Sequence, residues 1–238
     1  MSKIENYTLF YNEKDGKMYA GTCREEKEVL TDISIGDPVE VAGYCGDGLT
    51  LTLTGLEFET TADIALVLPE NATLVLERGV SRLVVHAQGP EANVAALYVK
   101  GNMTITGGTG RLICDTTSTT AENCLWSRGV CVRYGDLTQT GGNLEVYCGT
   151  CSVRAGALYA GGRLFGGENQ HGAITMTGGS FAGVAVPNTV RATNELLTIG
   201  PGAIVENSDE YAGSDQVWHG SYLNQKDPEK PVVVRFPD

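Results

Sequence analysis

One fifteen-residue phrase occurs twice in this chain. "GNMTITGGTGRLICD" fills positions 101–115, and "GDLTQTGGNLEVYCG" begins at Gly135, 34 residues later. An ungapped alignment sets Thr104 on Thr138, Thr106 on Thr140, Gly107-Gly108 on Gly141-Gly142, and Cys114 on Cys148. "ATLVLERGVSRLVVH" (72–86) fits the same frame, with Leu74 on Met103, Leu76 on Ile105 and Val85 on Cys114. "GAITMTGGSFAG" (172–183) repeats the Thr-x-Thr-Gly-Gly core, and "ELLTIGPGAIVEN" (195–207) is a worn copy. Units of this size cannot each close a core, so they must stack on one another.

A second phrase precedes the first. "IALVLPEN" (64–71), "AALYVKGN" (95–102), "GVCVRYGD" (129–136), "GALYAGGR" (156–163) and "GVAVPNTV" (183–190) each read as a short strand ending at a turn. Taking Leu66, Leu97, Cys131, Leu158 and Ala185 as equivalent gives steps of 31, 34, 27 and 27 residues. Apolar residues alternate two by two, as in Met103 and Ile105, which is the period of a strand and not of a helix. The expected fold is all-β: a single-stranded right-handed parallel β-helix of about five to six coils, a stack roughly 25–30 Å tall. Gly-Gly supplies the positive-φ corners between strands. In this frame Cys114 lies directly above or below Cys148. Residues 49–206 form the repeats. Residues 1–48, with "ISIGDPVEVAGY" (33–44), cap one end, and 207–238, ending in "PVVVRF" (231–236), form the other cap or an edge strand. An antiparallel sandwich also accommodates short strands and turns, but it has no need of ungapped repeats.

"LYVKGNMTITGGTGRLI" and "VCVRYGDLTQTGGNLEV" resemble the repeats of a bacterial carbohydrate-binding parallel β-helix family, the pectin-binding cell-surface β-helix proteins. The resemblance covers roughly 49–206. It implies polysaccharide binding, a secreted or cell-surface location, and calcium held in the loops. Two features of the chain depart from it. Positions 1–30 are polar, without a signal-peptide core, and the loops lack a dense Asp/Asn pattern. No cofactor follows from the residues themselves.

Charge narrows the partners. The net charge is −12, with five Lys/Arg against ten Asp/Glu in 1–48 and three against seven in 206–238. Without a basic stripe, nucleic acid is a poor partner. No apolar stretch approaches the roughly 18 residues of a membrane span. The seven cysteines are an odd number, which favours a reducing compartment, so residues and resemblance point to different locations.

Candidate chemistry is sparse. Cys148-Gly-Thr-Cys151 is a Cys-x-x-Cys, yet a zinc site needs a second ligand pair, and Cys114 and Cys148 share an inward slot as core packing. His171, near Glu168 in "GGENQHGA", lacks the second carboxyl that glycoside cleavage requires; His86 and His219 are equally isolated. "ENSDEYAGSD" (206–215) matches no calcium-loop spacing. Arg128, Arg133, Arg154 and Arg163 either form a modest basic face or pair with Asp115, Asp136 and Glu145; Arg133 aligns with Val99 and Ala160.

The remaining feature is aromatic. Tyr98 and Tyr159 occupy one slot of "ALYV" and "ALYA", shared with Val67 and Val132. The slot is either a buried ladder or an outward platform on which sugar rings stack, joined by Tyr134 at a turn and walled by Trp126 from the longest loop, 115–128. The expected function is therefore non-catalytic polysaccharide binding on a lateral face. A structural or protein-interaction domain is the alternative, and a lyase or hydrolase a third.

Overall fold

The computed structural model describes residues 3–26, 29–86, 89–161, 172–192, 196–208, 211 and 217–237. Among them there is no helix. The strands form two largely parallel sheets, one of fourteen strands and one of nine.

The recurring apolar positions explain the pairing. In the second sheet Leu9, Leu66, Leu97, Val130, Leu158 and Val190 lie side by side in successive strands, and Leu223 completes the row. Each is fully buried. From Leu66 to Val190 the steps are 31, 33, 28 and 32 residues. Within each interval the chain makes strands of the first sheet. After Ile64–Leu68 come Ala72–Leu76 and Val80–Val85, and only then Asn93–Lys100, back beside Ile64–Leu68. Burying one Leu or Val is worth about 1.5–3 kcal/mol, so such a row fixes the strand spacing.

The first sheet is two parallel ribbons joined by two long strands, Leu137–Cys148 and Ile174–Val184. Residues 137–139 pair with Met103–Gly107, and 143–148 with Arg111–Thr116. Leu51, Leu74, Ile105, Gln139, Met176 and Ile199 face inward in one ribbon, and Leu83, Cys114 and Val146 in the other. On the outer side of the first ribbon Thr50, Thr73, Thr104, Thr138, Thr175 and Thr198 align across six strands. All six are half-buried, where a β-branched side chain fits a pleated surface.

Four expected registers are corrected. Thr104 does lie opposite Thr138, but Cys114 faces Val146, and Cys148 faces Thr116. The first copy turns through Gly107, Gly108, Thr109 and Gly110, the second only through Gly141 and Gly142, so the register slips by two beyond the turn. A two-residue slip preserves facing, and both cysteines stay buried. The 72–86 copy is displaced likewise: Leu74 pairs with Ile105 and Leu83 with Cys114. In the second sheet Leu97 pairs with Val130, not Cys131, and Leu158 with Val190, not Ala185.

Antiparallel strands flank the parallel ladders. Tyr44–Asp47 pairs with Thr50–Leu53, and Trp218–Gly220 with Leu197–Ile199. Val232–Arg235 lies between residues 180–183 and Ile204–Glu206. The N-terminal hairpin, Lys17–Glu26 with Val29–Pro38, continues the second sheet beyond Thr8–Asn12.

Candidate functional site

The outer face of the second sheet carries two registered rows. Ile64, Ala95, Arg128 and Gly156 form one; Phe10, Val67, Tyr98, Cys131, Tyr159 and Arg191 form the other. Tyr98 and Tyr159 therefore do share a slot, with Cys131 between them in place of the expected Val132, which pairs with Val99 and Ala160.

The hairpin divides this face in two. Cys23, Tyr19 and Leu30 come down on Phe10, Ile64, Ala95, Tyr98 and Cys131, forming an apolar cluster separate from the main core. Tyr98 is fully buried, its hydroxyl has no hydrogen-bond partner, and burial pushes its phenol up from the ordinary value. It does not reach solvent and belongs to no exposed row. No local pattern around "AALYVK" announces this, because the cover comes from residues more than 60 positions earlier.

Glu25, near the hairpin's tip, ties it down. Arg128 Nη1 donates to Glu25 Oε2 at 3.0 Å, Arg133 Nη2 donates to Glu25 Oε1, and Asn93 Nδ2 donates to the Glu25 carbonyl at 2.7 Å. The three charged side chains are at most 4% exposed. The arginines expected to pair with Asp115, Asp136 and Glu145 thus include two that pair with Glu25. Asp115 pairs with Arg82 and Glu145 with Arg111. Arg133 lies opposite Lys100 and Gly161, one place from its expected alignment with Val99 and Ala160.

Beyond the hairpin the face is open. Trp126, Arg128, Arg154, Ala155, Gly156, Tyr159 and Arg191 line one shallow depression. Trp126 is paired with Arg154 at the start of their strands, so it opens a strand and does not stand in a loop. The Arg128 guanidinium carbon lies 4.7 Å from the Trp126 ring centroid and 5.3 Å from that of Tyr159. Arg133 lies 5.0 Å from the Tyr159 ring and donates to its hydroxyl at 3.3 Å. Cation–π contacts and the Glu25 bonds thus hold both rings and Arg128 in fixed orientations. Gly156, which pairs with Arg128, has no side chain and leaves the floor open.

Of the four aromatic candidates, the structure brings Trp126 and Tyr159 together. Tyr98 is covered, and Tyr134, at φ 58° just past the strand end, is not part of the lining. Reasoning from sequence missed Arg128 and Arg191 as neighbours of the rings. The one-residue slip hid the first, and the second belonged to a misplaced copy. His171, Glu168, Arg163, Asp209, Glu210 and Asp215 lie outside the described residues. Among the described residues no three His, Cys, Asp or Glu side chains converge to hold a metal ion, and Glu206 is engaged with Arg235 at 2.8 Å.

Searches against protein-family models, curated proteins and solved structures find no match to this chain.

Proposed function

We propose that this chain is a non-catalytic, polysaccharide-binding parallel β-helix that takes an acidic glycan in the lateral depression at Trp126 and Tyr159. The winding is supported by the chain's alternation between the sheets, with strands about thirty residues apart pairing in parallel. The carrying observation is the depression itself: two aromatic rings with half-buried Arg154 and Arg191 on one face, around a buried Arg128 held by Glu25. A ring offers an apolar surface to the C–H face of a sugar, and a guanidinium forks onto a carboxylate. The net charge of −12 opposes an acidic ligand only at long range. At physiological salt charges beyond about 8 Å are screened, and Glu25 offsets Arg128, so Arg154 and Arg191 supply the local positive charge. The non-catalytic reading is supported by a described lining that contains arginines and rings and no carboxylate pair.

Electrophoresis of the native protein through gels containing polygalacturonate or neutral glucans tests this. Retardation by polygalacturonate, abolished in Arg154→Ala/Arg191→Ala, is expected. Unretarded migration in every acidic and neutral glycan contradicts it.

A further inference from the structure

Two cysteines meet beside the Trp126–Arg154 pair. The segment after Cys148 runs alongside the segment before Trp126. Ser152 donates through its backbone N (2.9 Å) and its hydroxyl (3.2 Å) to the Cys124 carbonyl, and Val153 N donates to the Leu125 carbonyl at 3.1 Å. In a parallel pair an N–H bonds the carbonyl just before its partner, as Asn143 N bonds the Gly110 carbonyl while facing Arg111, so these bonds set Ser152 opposite Leu125 and Cys151 opposite Cys124. Neighbouring parallel segments lie about 4.8 Å apart, which puts the two Cα atoms about 5 Å apart. A disulfide accepts about 4.4–6.8 Å. Both side chains pack against the main core, Cys124 fully buried and Cys151 half-buried.

We propose that Cys124 and Cys151 form a redox-active pair that a small-molecule disulfide oxidises to an intramolecular disulfide. The pair divides the roles. Cys151 stands between exposed Thr150 and Ser152, where solvent reaches it. Burial, reinforced by the neighbouring Cys151 thiol, pushes Cys124 up to about 12, and its sulfur lies 3.0 Å from the Trp126 carbonyl. Cys124 is thus a poor first nucleophile and is suited to resolve a mixed disulfide already formed next to it. The Cys151 thiolate attacks one sulfur of a disulfide such as oxidised glutathione. The S–S bond breaks and one glutathione thiol leaves. Cys124 gives its proton to solvent and attacks the Cys151 sulfur, releasing the second glutathione thiol. Two protein thiols are oxidised and one glutathione disulfide is reduced. The new bond staples the segment that carries Trp126 to the one that carries Arg154. The Cys148–Cys151 alternative fits less well, because the Cys148 thiol is turned to the Thr116 and Ser127 hydroxyls and the Gly156 carbonyl (3.7 Å).

The test treats the native, reduced chain with oxidised glutathione, blocks the remaining thiols, digests it and maps the peptides by mass. A linked peptide joining Cys124 and Cys151 is expected. It should disappear on reduction, be absent from Cys151→Ser and persist in Cys45→Ser, which lacks the exposed thiol. A stable glutathione adduct on Cys151, a Cys148–Cys151 link, or modification of Cys45 alone overturns the proposal. None of these readouts depends on glycan binding.

Discussion

The Glu25 carboxylate accepts a 3.0 Å bond from the Arg128 guanidinium, which lies 103 residues further along the chain, and the pair is almost fully buried. Removing one partner of a buried ion pair leaves the other uncompensated, at a cost of about 3–5 kcal/mol. Glu25→Ala is therefore expected to lower the stability of the chain by about that much, read from urea unfolding. A change within the range of an exposed pair, about 0–1 kcal/mol, would mean that the hairpin is not held through Glu25.

Gly129 faces the Val146 side chain across the core. An added methyl group would collide with Val146 Cγ1 and lie 3.0 Å from the Ala157 carbonyl. Overpacking costs about 1–3 kcal/mol. Gly129→Ala should destabilise by that order, and Val146→Ala in the same chain should return part of the loss. Strictly additive effects of the two substitutions in a double-mutant cycle would deny the contact.

The Tyr98 hydroxyl is buried without a hydrogen-bond partner. An unsatisfied buried polar group costs about 1–3 kcal/mol. Tyr98→Phe is expected to be neutral or to stabilise by about 1 kcal/mol in thermal or urea unfolding, and to leave glycan binding unchanged. Reduced binding in that variant would place Tyr98 at the ligand and contradict its burial.

Asp115 reports on acid stability. Burial raises its carboxyl, but bonds from the Thr117 hydroxyl (2.7 Å) and amide (3.0 Å) and from Arg82 (2.9 Å) outweigh that, and it ionises below its ordinary value. Its stabilisation is fully present above the unfolded value of about 3.9 and is lost as pH falls through the lower folded one. Asp115→Asn should lower stability at pH 7, and the gap to the parent should close as pH drops below about 4. A gap that persists unchanged to low pH would assign the effect to something other than this ionisation.

The repeat made much of this molecule legible. Thr104 and Thr138 stand opposite one another as their phrases align, and the period-two alternation of Met103 and Ile105 predicts which side chains are buried. Register past a turn was not legible, because the Gly-Gly corners differ by two residues. That slip keeps every side chain on its face, so it is silent in a hydrophobic pattern. In the second sheet the one-residue error matters more. Lys100 pairs with Arg133 but Met103 with Leu137, so the second copy holds one extra residue in the turn at Tyr134, and Arg133 moves from an inward to an outward place.

The candidate site was half legible. Trp126 and Tyr159 stood out as rings on repeated strands. The fate of Tyr98 was decided by Cys23 and Leu30, which are distant in sequence and carry no repeat signal. Glu25 as partner of Arg128 and Arg133 is likewise a long-range fact.

The most direct measurement uses Trp126 as its own reporter. The chain has two tryptophans, so Trp218→Phe leaves Trp126 as the one indole. Titrating that variant with galacturonate oligomers should give a saturable change in its emission. Neutral glucose oligomers should give none, and Arg154→Ala/Arg191→Ala should remove the response. Acidic glycan bound with unchanged Trp126 emission, or no binding of any oligomer, would contradict a glycan seat at Trp126 and Tyr159.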